Sequence, residues 1–256
     1  MIKILNTTDS LKVVKDNLDN HDRVFFTRFG DCDIIMLSGT DLKGDVLTQA
    51  KAWGGNRTIW SKDIQRELKE SFTIDHPQYM QGLSCSWETE EGMKNGLFAN
   101  FKYKERLEQK ALQYNKKDVY LSPVLFHYLM CFKNKVFNDF VDQYISGKKI
   151  LYIGSTPVNH AEKIVGAIAH SVVTPPTNAY YNINEWWTEV EKILKNEDID
   201  VVIPSAGQSS RVISKRIFKM GTKVHSLDLG SIFDIFKKPT RTWLKMKGEE
   251  LQKIYQ

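Results

Sequence analysis

The sequence has little of what membrane, secreted or disulfide-rich proteins need. No apolar run in its 256 residues approaches the ~20 residues that a membrane span requires. The first residues lack the basic start, apolar middle and cleavage site of a signal peptide. Only three cysteines are present, none in a Cys-x-x-Cys pair, which argues against a disulfide framework and a cysteine zinc site. We therefore expect a chain without a membrane span, in the cytoplasm of its cell or host.

Two common nucleotide-binding fingerprints are also missing. The sequence contains neither a Gly-x-Gly-x-x-Gly run nor the lysine pattern of a phosphate-binding P-loop. Their absence argues against a Rossmann-type dehydrogenase or methyltransferase, although such an enzyme stays as an alternative hypothesis. Internal repeats and low-complexity tracts are absent as well, so the organisation has to be inferred from local patterns.

Positive charge is in modest excess and unevenly distributed. The formal net charge is +5, and basic residues crowd the last fifth of the chain, where Phe236 and Trp243 are interleaved with Lys237, Lys238, Arg241 and Lys245. This balance favours anionic partners. A basic groove with aromatic side chains is typical of nucleic-acid binding, so a non-catalytic nucleic-acid-binding module is a further alternative. A solvated lysine-rich surface is the plainer interpretation.

The second half of the chain alternates between strands and helices. Strand patterns at 149–153, 171–173, 201–203 and 223–227 are separated by helical patterns at 159–169, 183–194 and 209–220, and an earlier strand is predicted at 23–29. This alternation predicts an α/β, Rossmann-like fold with a mostly parallel sheet covered by helices on both faces. We expect one domain over residues 1–256, in which the segment from about 40 to 117 forms a cap.

The strand predicted at 23–29 ends in a charged motif. The motif is Arg28-Phe29-Gly30-Asp31-Cys32-Asp33. In an extended segment, carboxylates two residues apart point to the same side, and an all-oxygen ligand set suits Mg²⁺ or Mn²⁺. The pattern therefore predicts that Asp31 and Asp33 hold one divalent ion. The simpler alternative is that the aspartates end a strand or cap a helix.

Two further strand ends carry small and hydroxyl residues. Gly154, Ser155 and Thr156 precede a predicted helix, whose free N–H groups suit a phosphate. The strand at 201–203 opens into a loop at the edge where ligands of α/β sheets bind; its candidate ligand-binding residues are Ser205, Gly207, Gln208, Ser209 and Arg211. An ordinary βα turn and a helix cap at Ser209 are the simpler alternatives.

The last predicted strand leads into Asp228, Gly230 and Ser231. Gly230 and Ser231 would allow a ligand to approach the backbone closely. Asp228 is the first candidate for a catalytic base, or else binds a hydroxyl of the donor, and His225 is the second candidate for the base. Asp228 could equally belong to a plain strand-end turn. His76, His127 and His160 have no partner at metal-ligand spacing, so we expect a structural role for each.

Taken together, these segments resemble the GT-D fold glycosyltransferases of bacteria and phages. The resemblance rests, in matching order, on Arg28-Phe29-Gly30-Asp31-Cys32-Asp33, Leu121-Ser122-Pro123, Ile153-Gly154-Ser155, Ser205-Ala206-Gly207-Gln208 and the stretch 226–234. In the family the first motif is usually Arg-x-Gly-Asp-x-Glu, so Asp33 stands in place of a glutamate. A proline and a lysine often follow the glycine that matches Gly154, whereas this chain has Ser155-Thr156-Pro157.

The resemblance implies an enzyme that moves a sugar from a nucleoside-diphosphate sugar, first of all a UDP-sugar, to an acceptor hydroxyl. It implies Mn²⁺ or Mg²⁺ on Asp31 and Asp33, bound to the donor diphosphate. The acceptor would be a hydroxymethylated base in phage DNA, flipped out of the duplex, or a cell-surface glycan. The loop at 53–57, with its glycine pair, is either a loop that closes over the donor or a plain surface turn.

Overall fold

The computed structural model describes residues 2–40, 46–47, 52–53, 58–83, 112–237 and 242–256. Six strands form one sheet in the order β5-β2-β10-β9-β7-β8, and every neighbouring pair is parallel. These strands are β2 (Phe25–Phe29), β5 (Tyr79–Leu83), β7 (Ile150–Gly154), β8 (His170–Val173), β9 (Val201–Ser205) and β10 (His225–Leu227). The remaining strands form two short pairs: parallel β1 (Lys3–Ile4) with β6 (Val119–Tyr120), and antiparallel β3 (Ala52–Trp53) with β4 (Thr58–Ile59).

Helices cover both faces of this sheet. One face of the sheet is covered by helices α1 (Thr7–Asn20), α4 (Leu125–Phe132), α5 (Asn134–Tyr144), α6 (Val158–Val165) and α9 (Thr242–Ile254). The other face is covered by helices α2 (Asp31–Ser38), α3 (Lys62–Phe72), α7 (Ile183–Asn196) and α8 (Ser209–Met220). A 3₁₀ helix spans Ile232–Phe236. The predicted α/β fold is therefore confirmed. None of the helices in the described ranges combines the length and hydropathy of a membrane-spanning segment.

The strands are apolar on both sides because both sides are covered. Phe26 and Tyr152 point into the core beneath α1 and α4–α6. Their neighbours Phe25 and Leu151 point into the opposite core, beneath α2, α3, α7 and α8. Successive side chains of a strand face opposite ways, so a parallel sheet with two helical layers needs nearly continuous apolar strands. Because both faces of the sheet are packed, each strand and its carboxyl end are held at a fixed position in the sheet.

The structure corrects three local predictions. Helix α2 begins at Asp31, so Asp31 and Asp33 lie in a helix rather than in an extended segment. Helix α6 ends at Val165, before the predicted 169, because Gly166 has a φ of 84°. Strand β5 is the edge of the main sheet, so this part of the predicted cap belongs to the sheet layer. Most of the 40–117 segment, including residues 54–57 of the predicted closing loop, lies outside the described residues.

An ion-pair network fastens α3 to α8. The buried Lys215 ammonium contacts Glu67 and lies 2.9 Å from a Glu70 carboxylate oxygen. Arg216 also pairs with Glu67, at 2.9 Å. One turn before Lys215, the backbone carbonyl of Arg211 accepts a hydrogen bond from Ser71 of α3 at 3.1 Å. Helix α3 therefore holds the first turn of α8, which borders the carboxyl edge of the sheet.

Candidate active site

The predicted motifs meet at one edge of the sheet. Strands β2, β10, β9 and β7 are neighbours in that order, and their carboxyl ends carry the four motifs. Gly154 pairs in register with Ser205, and the Ser205 hydroxyl donates to the Gly230 carbonyl oxygen at 3.2 Å. Loops that lie far apart in sequence are thus joined directly at the edge where ligands of open α/β sheets bind.

Arg28 points towards α4 from the end of β2. Its Nη1 donates to the carbonyl oxygen of Pro123 at 2.9 Å and lies 3.2 Å from Nδ1 of His127. Its Nε lies 3.7 Å from Oδ1 of Asp228. The Arg28 side chain retains 15% of its exposure, so it is partly open to solvent at this edge of the sheet while three protein groups orient it.

On the other face of the sheet, Arg211 lies between the buried carboxylates of Asp33 and Asp228 and pairs with both. Its Nη2 lies 3.0 Å from Oδ2 of Asp33, and its Nη1 lies 3.1 Å from Oδ2 of Asp228. Nη1 also donates to the carbonyl oxygen of Gly207 at 2.7 Å. All three side chains are nearly inaccessible, at 5% exposure or less. With Arg28, two guanidinium groups balance two carboxylates, an arrangement that a buried cluster of charges requires.

The charges of this cluster depend on one another. Burial raises the pKa of Asp33 to about 6, and the nearby Arg211 opposes that rise. Burial by itself would lower the pKa of Arg211, but the Asp33 and Asp228 carboxylates raise it above its ordinary value. Arg211 is therefore permanently charged, and it keeps Asp33 mainly ionised at neutral pH.

Gly230 allows Arg28 and His127 to approach the turn after β10. Its φ is +73°, and its N–H donates to Oδ1 of Asp228 at 2.8 Å. A Cβ at this position would lie 2.6 Å from Cζ of Arg28 and 2.5 Å from Cε1 of His127. Residue 230 therefore has to be glycine for two reasons, backbone conformation and space.

Replacing Gly230 with alanine should lower the free energy of unfolding by about 2–5 kcal/mol, because left-handed strain adds to overpacking. Gly147→Ala is the matched control, since Gly147 has a φ of +74° but nothing within 4 Å of the added Cβ. That control should lose only about 1 kcal/mol. Urea denaturation measures both losses, and equal losses would show that the contacts of Gly230 do not matter.

The predicted metal ligands are only partly described. Residues two apart on a helix are about 200° apart around its axis, so the extended-strand argument for Asp31 and Asp33 no longer holds. Asp33 Oδ2 accepts the Gly30 N–H at 2.9 Å and pairs with Arg211, whereas Oδ1 is buried with no hydrogen-bond partner in the described chain. The side chain of Asp31 lies outside the described residues.

Gln208, Ser209 and Arg211 of the β9 loop are less accessible than predicted. Gln208 occupies the N-cap position of α8 without a side-chain capping bond, and Ser209 is the first helical residue, so Ser209 is not the cap. Both side chains are buried. Gly207 has a φ of +61°. Arg211 is buried and both of its terminal nitrogens contact the protein, so its position suits holding the two carboxylates in place.

The turn at Gly154 leads into helix α6, whose N-terminus is not capped by a side chain. Pro157 is the N-cap residue of α6, and no side chain caps this helix. Thr156 is buried, whereas Ser155 is half-buried. A Cβ at position 154 would lie 2.5 Å from Oη of Tyr152. No side chain therefore competes for the first N–H groups of α6, and anion binding there stays a prediction.

The structure separates His225 from the other candidate residues. His225 pairs with Val201 at the start of β9, at the amino edge of the sheet. Three residues of strand, or about 10 Å, separate it from Asp228. Burial lowers the pKa of His225, but the site lies at the opposite edge. The geometric reason for considering His225 as a base is therefore lost.

Two side chains have roles that the sequence did not indicate. His127, predicted to be structural, contacts both Arg28 and Ser231. Trp243, predicted to face nucleic acid, is 5% exposed and packs edge-on against His127 at 5.3 Å. The available signal for His127 was Pro123, which directly precedes α4, the helix that carries His127. No local pattern indicates that Trp243 is buried.

Comparison with known proteins identifies the fold. No family model and no curated protein matches the chain. A solved structure of a glycosyltransferase (DUF1792) from Streptococcus sanguinis superposes on it with a TM-score of 0.70 and 13% identity, covering 96% of this chain and 85% of that one. The chain has the DUF1792 glycosyltransferase fold. A second structure, described as a domain of unknown function 1792 with a distinct glycosyltransferase fold, has a TM-score of 0.67 and 16% identity and covers 96% and 82%.

This DUF1792 fold agrees with the one that the motifs implied. The matches cover 96% of the chain. At these levels of identity they establish the fold, and the chemistry has to be argued from the residues of the site.

Proposed function

We propose that this protein transfers a glycosyl unit from a nucleoside-diphosphate sugar, first of all a UDP-sugar, to an acceptor hydroxyl. The observation that carries the proposal is the buried cluster of Arg28, Asp33, Arg211 and Asp228 at the carboxyl edge of the parallel sheet. Its supporting context is a fold shared with glycosyltransferases over 96% of the chain. Because the cluster is buried and its charges are paired, it can hold ligand-binding loops in fixed positions.

The chain offers several donors for a departing diphosphate. Its negative charge has to be stabilised as the sugar leaves. Arg28 is partly exposed beside the β10 turn, the half-buried Ser155 lies at the uncapped start of α6, and Ser231 follows Gly230. Helix N-termini and guanidinium groups both bind phosphate. These groups come from the carboxyl ends of β2, β10 and β7; β2 and β10 are neighbours, and β9 lies between β10 and β7. A ligand lying along this edge of the sheet could reach all three.

A divalent ion on Asp31 and Asp33 remains part of the proposal. In support, Oδ1 of Asp33 is buried and has no hydrogen-bond partner in the described chain, and oxygen ligands suit Mn²⁺ or Mg²⁺. Within the described ranges no three metal-binding side chains gather, so Asp31 and the donor phosphates would have to complete the ligand set. When bound, the ion supplies Lewis-acid stabilisation of the diphosphate.

The contacts of Asp228 support an anchoring role better than proton transfer. Its side chain is 1% exposed, and its two oxygens face Arg28, Arg211 and the Gly230 N–H. A general base has to reach the acceptor hydroxyl directly or through one water. We therefore propose that Asp228 positions the two arginines and does not act as the base.

For the acceptor, the two candidates are a hydroxymethylated base in DNA and a glycan. The basic residues of the chain's last fifth support DNA. The burial of Trp243 removes one aromatic side chain on which a base would stack, and Phe236 is engaged with His160, whose ring lies 4.7 Å away. We therefore propose a glycan acceptor first and DNA second.

Removal of divalent metal should abolish transfer. The protein would be incubated with UDP-sugars, with hydroxymethylated DNA and with a glycan panel, and products would be measured by mass spectrometry. We expect a hexose-sized mass increase on one acceptor class, its loss in EDTA and its recovery on adding Mn²⁺. Transfer that persists in EDTA would remove the metal from the proposal. Thermal stabilisation by NAD or S-adenosylmethionine, with no transfer, would favour the cofactor-enzyme alternative.

A further inference from the structure

The contact between Arg28 and His127 fixes which ring nitrogen of the histidine carries hydrogen. A guanidinium group has only donors, and its Nη1 lies 3.2 Å from Nδ1 of His127. Nδ1 must therefore accept. A neutral imidazole has one acceptor and one donor nitrogen, so the hydrogen is on Nε2.

The second ring nitrogen faces Ser231. Nε2 of His127 lies 3.0 Å from the Ser231 hydroxyl oxygen. Because Nε2 carries the hydrogen, the imidazole donates and the hydroxyl oxygen accepts. The ring is also held in place: Trp243 packs against it at an interplanar angle of 80°, and a side chain at position 230 would collide with it. The direction of this hydrogen bond is thus built into the fold.

This direction leaves the hydroxyl hydrogen of Ser231 for a ligand. A serine hydroxyl has a single hydrogen to donate, and no acceptor for it lies within hydrogen-bond distance in the described chain. Ser231 is half-buried and follows Gly230, whose N–H is already taken by Asp228. The neighbouring Arg28 is cationic. A donor beside a cation suits an anionic oxygen.

We propose that the Ser231 hydroxyl donates to a phosphate oxygen of the nucleotide-sugar donor, and that His127 is the positioning residue that directs it. This inference rests on the proposed glycosyltransferase function. It also excludes His127 Nε2 as the base for the acceptor hydroxyl, because that nitrogen already carries its hydrogen. His127 therefore contributes to donor binding and not to proton removal.

The binding test compares nucleoside diphosphates with nucleosides. UDP, ADP, GDP and CDP, and the four nucleosides, would be titrated calorimetrically in Mn²⁺. Ser231→Ala should weaken binding of the preferred diphosphate about tenfold or more, as expected when a hydrogen bond to a charged group is lost. Binding of the nucleoside should not change. Ser231→Thr, which keeps the hydroxyl, should restore most of the affinity, and Ser146→Ala before β7 is the control.

Each outcome has a distinct meaning. If the wild-type protein binds a diphosphate and Ser231→Ala binds it equally well, this inference is wrong and the proposed function stands. If the nucleoside loses as much affinity as the diphosphate, Ser231 does not contact phosphate and the inference is also wrong. If the wild-type protein binds none of the diphosphates, the proposed function fails and takes the inference with it.

The positioning role of His127 has its own readouts. Nitrogen-15 NMR should show His127 as the Nε2–H tautomer, and the opposite tautomer would overturn the assignment. His127→Leu should weaken diphosphate binding, and Ser231→Ala should then add little, since the two residues act as one unit. Additive losses would contradict that coupling. His127→Gln can accept and donate in place of the ring, so it should recover part of the loss. His21→Leu, at an exposed position at the opposite edge, is the control.

Discussion

Arg211→Met should lower the free energy of unfolding by about 3–5 kcal/mol, the usual cost of leaving a buried charge without its partner. Arg211 separates Asp33 from Asp228, at 3.0 Å and 3.1 Å. Methionine fills much of the same volume but leaves two carboxylates facing each other in a nearly inaccessible space. Urea denaturation of the full chain measures the loss.

Arg66→Met provides the matched control. Arg66 pairs with Asp63 at the same 3.0 Å, but both side chains are about two-thirds exposed. Water already screens this pair, so its loss should change stability little. Similar losses for Arg66→Met and Arg211→Met would contradict the importance of the buried cluster. Adding Asp33→Asn to Arg211→Met should recover part of the loss, because it removes one of the uncompensated charges.

The loss in Arg211→Met should also grow with pH. The pKa of Asp33 in the folded protein, about 6, lies above the ~3.9 of an unfolded aspartate. Protonation of Asp33 therefore favours the folded state: its stabilising contribution is complete below pH ~4 and is lost as pH rises through about 6. Without Arg211 the folded pKa should rise further and extend this window upward. Unfolding experiments at pH 5 and pH 8 should show the larger deficit at pH 8, and Asp33→Asn should flatten the difference.

Asp31→Ala should reduce glycosyl transfer by a factor of about 10² to 10³ or more, as expected when a group that stabilises transition-state charge is lost. Asp31 opens α2 directly after β2, which places it beside the Arg28 strand end. Calorimetry with UDP and Mn²⁺ should show that metal-dependent binding disappears. Unchanged binding in this variant would remove Asp31 from the metal site.

The control has to separate a site effect from a helix effect. Asp63 occupies the first turn of α3 as Asp31 does in α2, so alanine at either position removes a similar interaction with a helix dipole. Asp63→Ala should keep full transfer activity. If both variants lose activity equally, the loss comes from helix stability and not from metal binding.

The sequence predicted the frame of the site because strand ends are local patterns. Buried apolar runs that stop at Gly154 or before Asp228 mark the carboxyl edge of a parallel sheet, and the structure brings these positions together. The cluster itself is a different kind of information. Arg28, Asp33, Arg211 and Asp228 come from three separate parts of the chain, and no spacing in one dimension shows that they pair.

The errors have physical causes of the same kind. The pattern that precedes Asp31 and Asp33 is that of a strand and favours an extended segment, but Gly30 is the N-cap residue and the helix begins directly after it. His225 and Asp228 are only three residues apart in sequence, but a strand carries its two ends to opposite edges of a sheet. The basic residues around Trp243 favour a surface position, whereas the structure buries its side chain in the core.

The order of strands has a consequence for how the chain is made. Strand β10, near the end of the sequence, lies between β2 and β9 in the middle of the sheet, where Ser226 pairs with Phe25. On the ribosome, the edge of β2 that faces β10 stays unpaired until His225–Leu227 has emerged. Such long-range pairing is slow to form and leaves an open strand edge meanwhile. The nascent chain should therefore depend on chaperones or on rapid completion of synthesis.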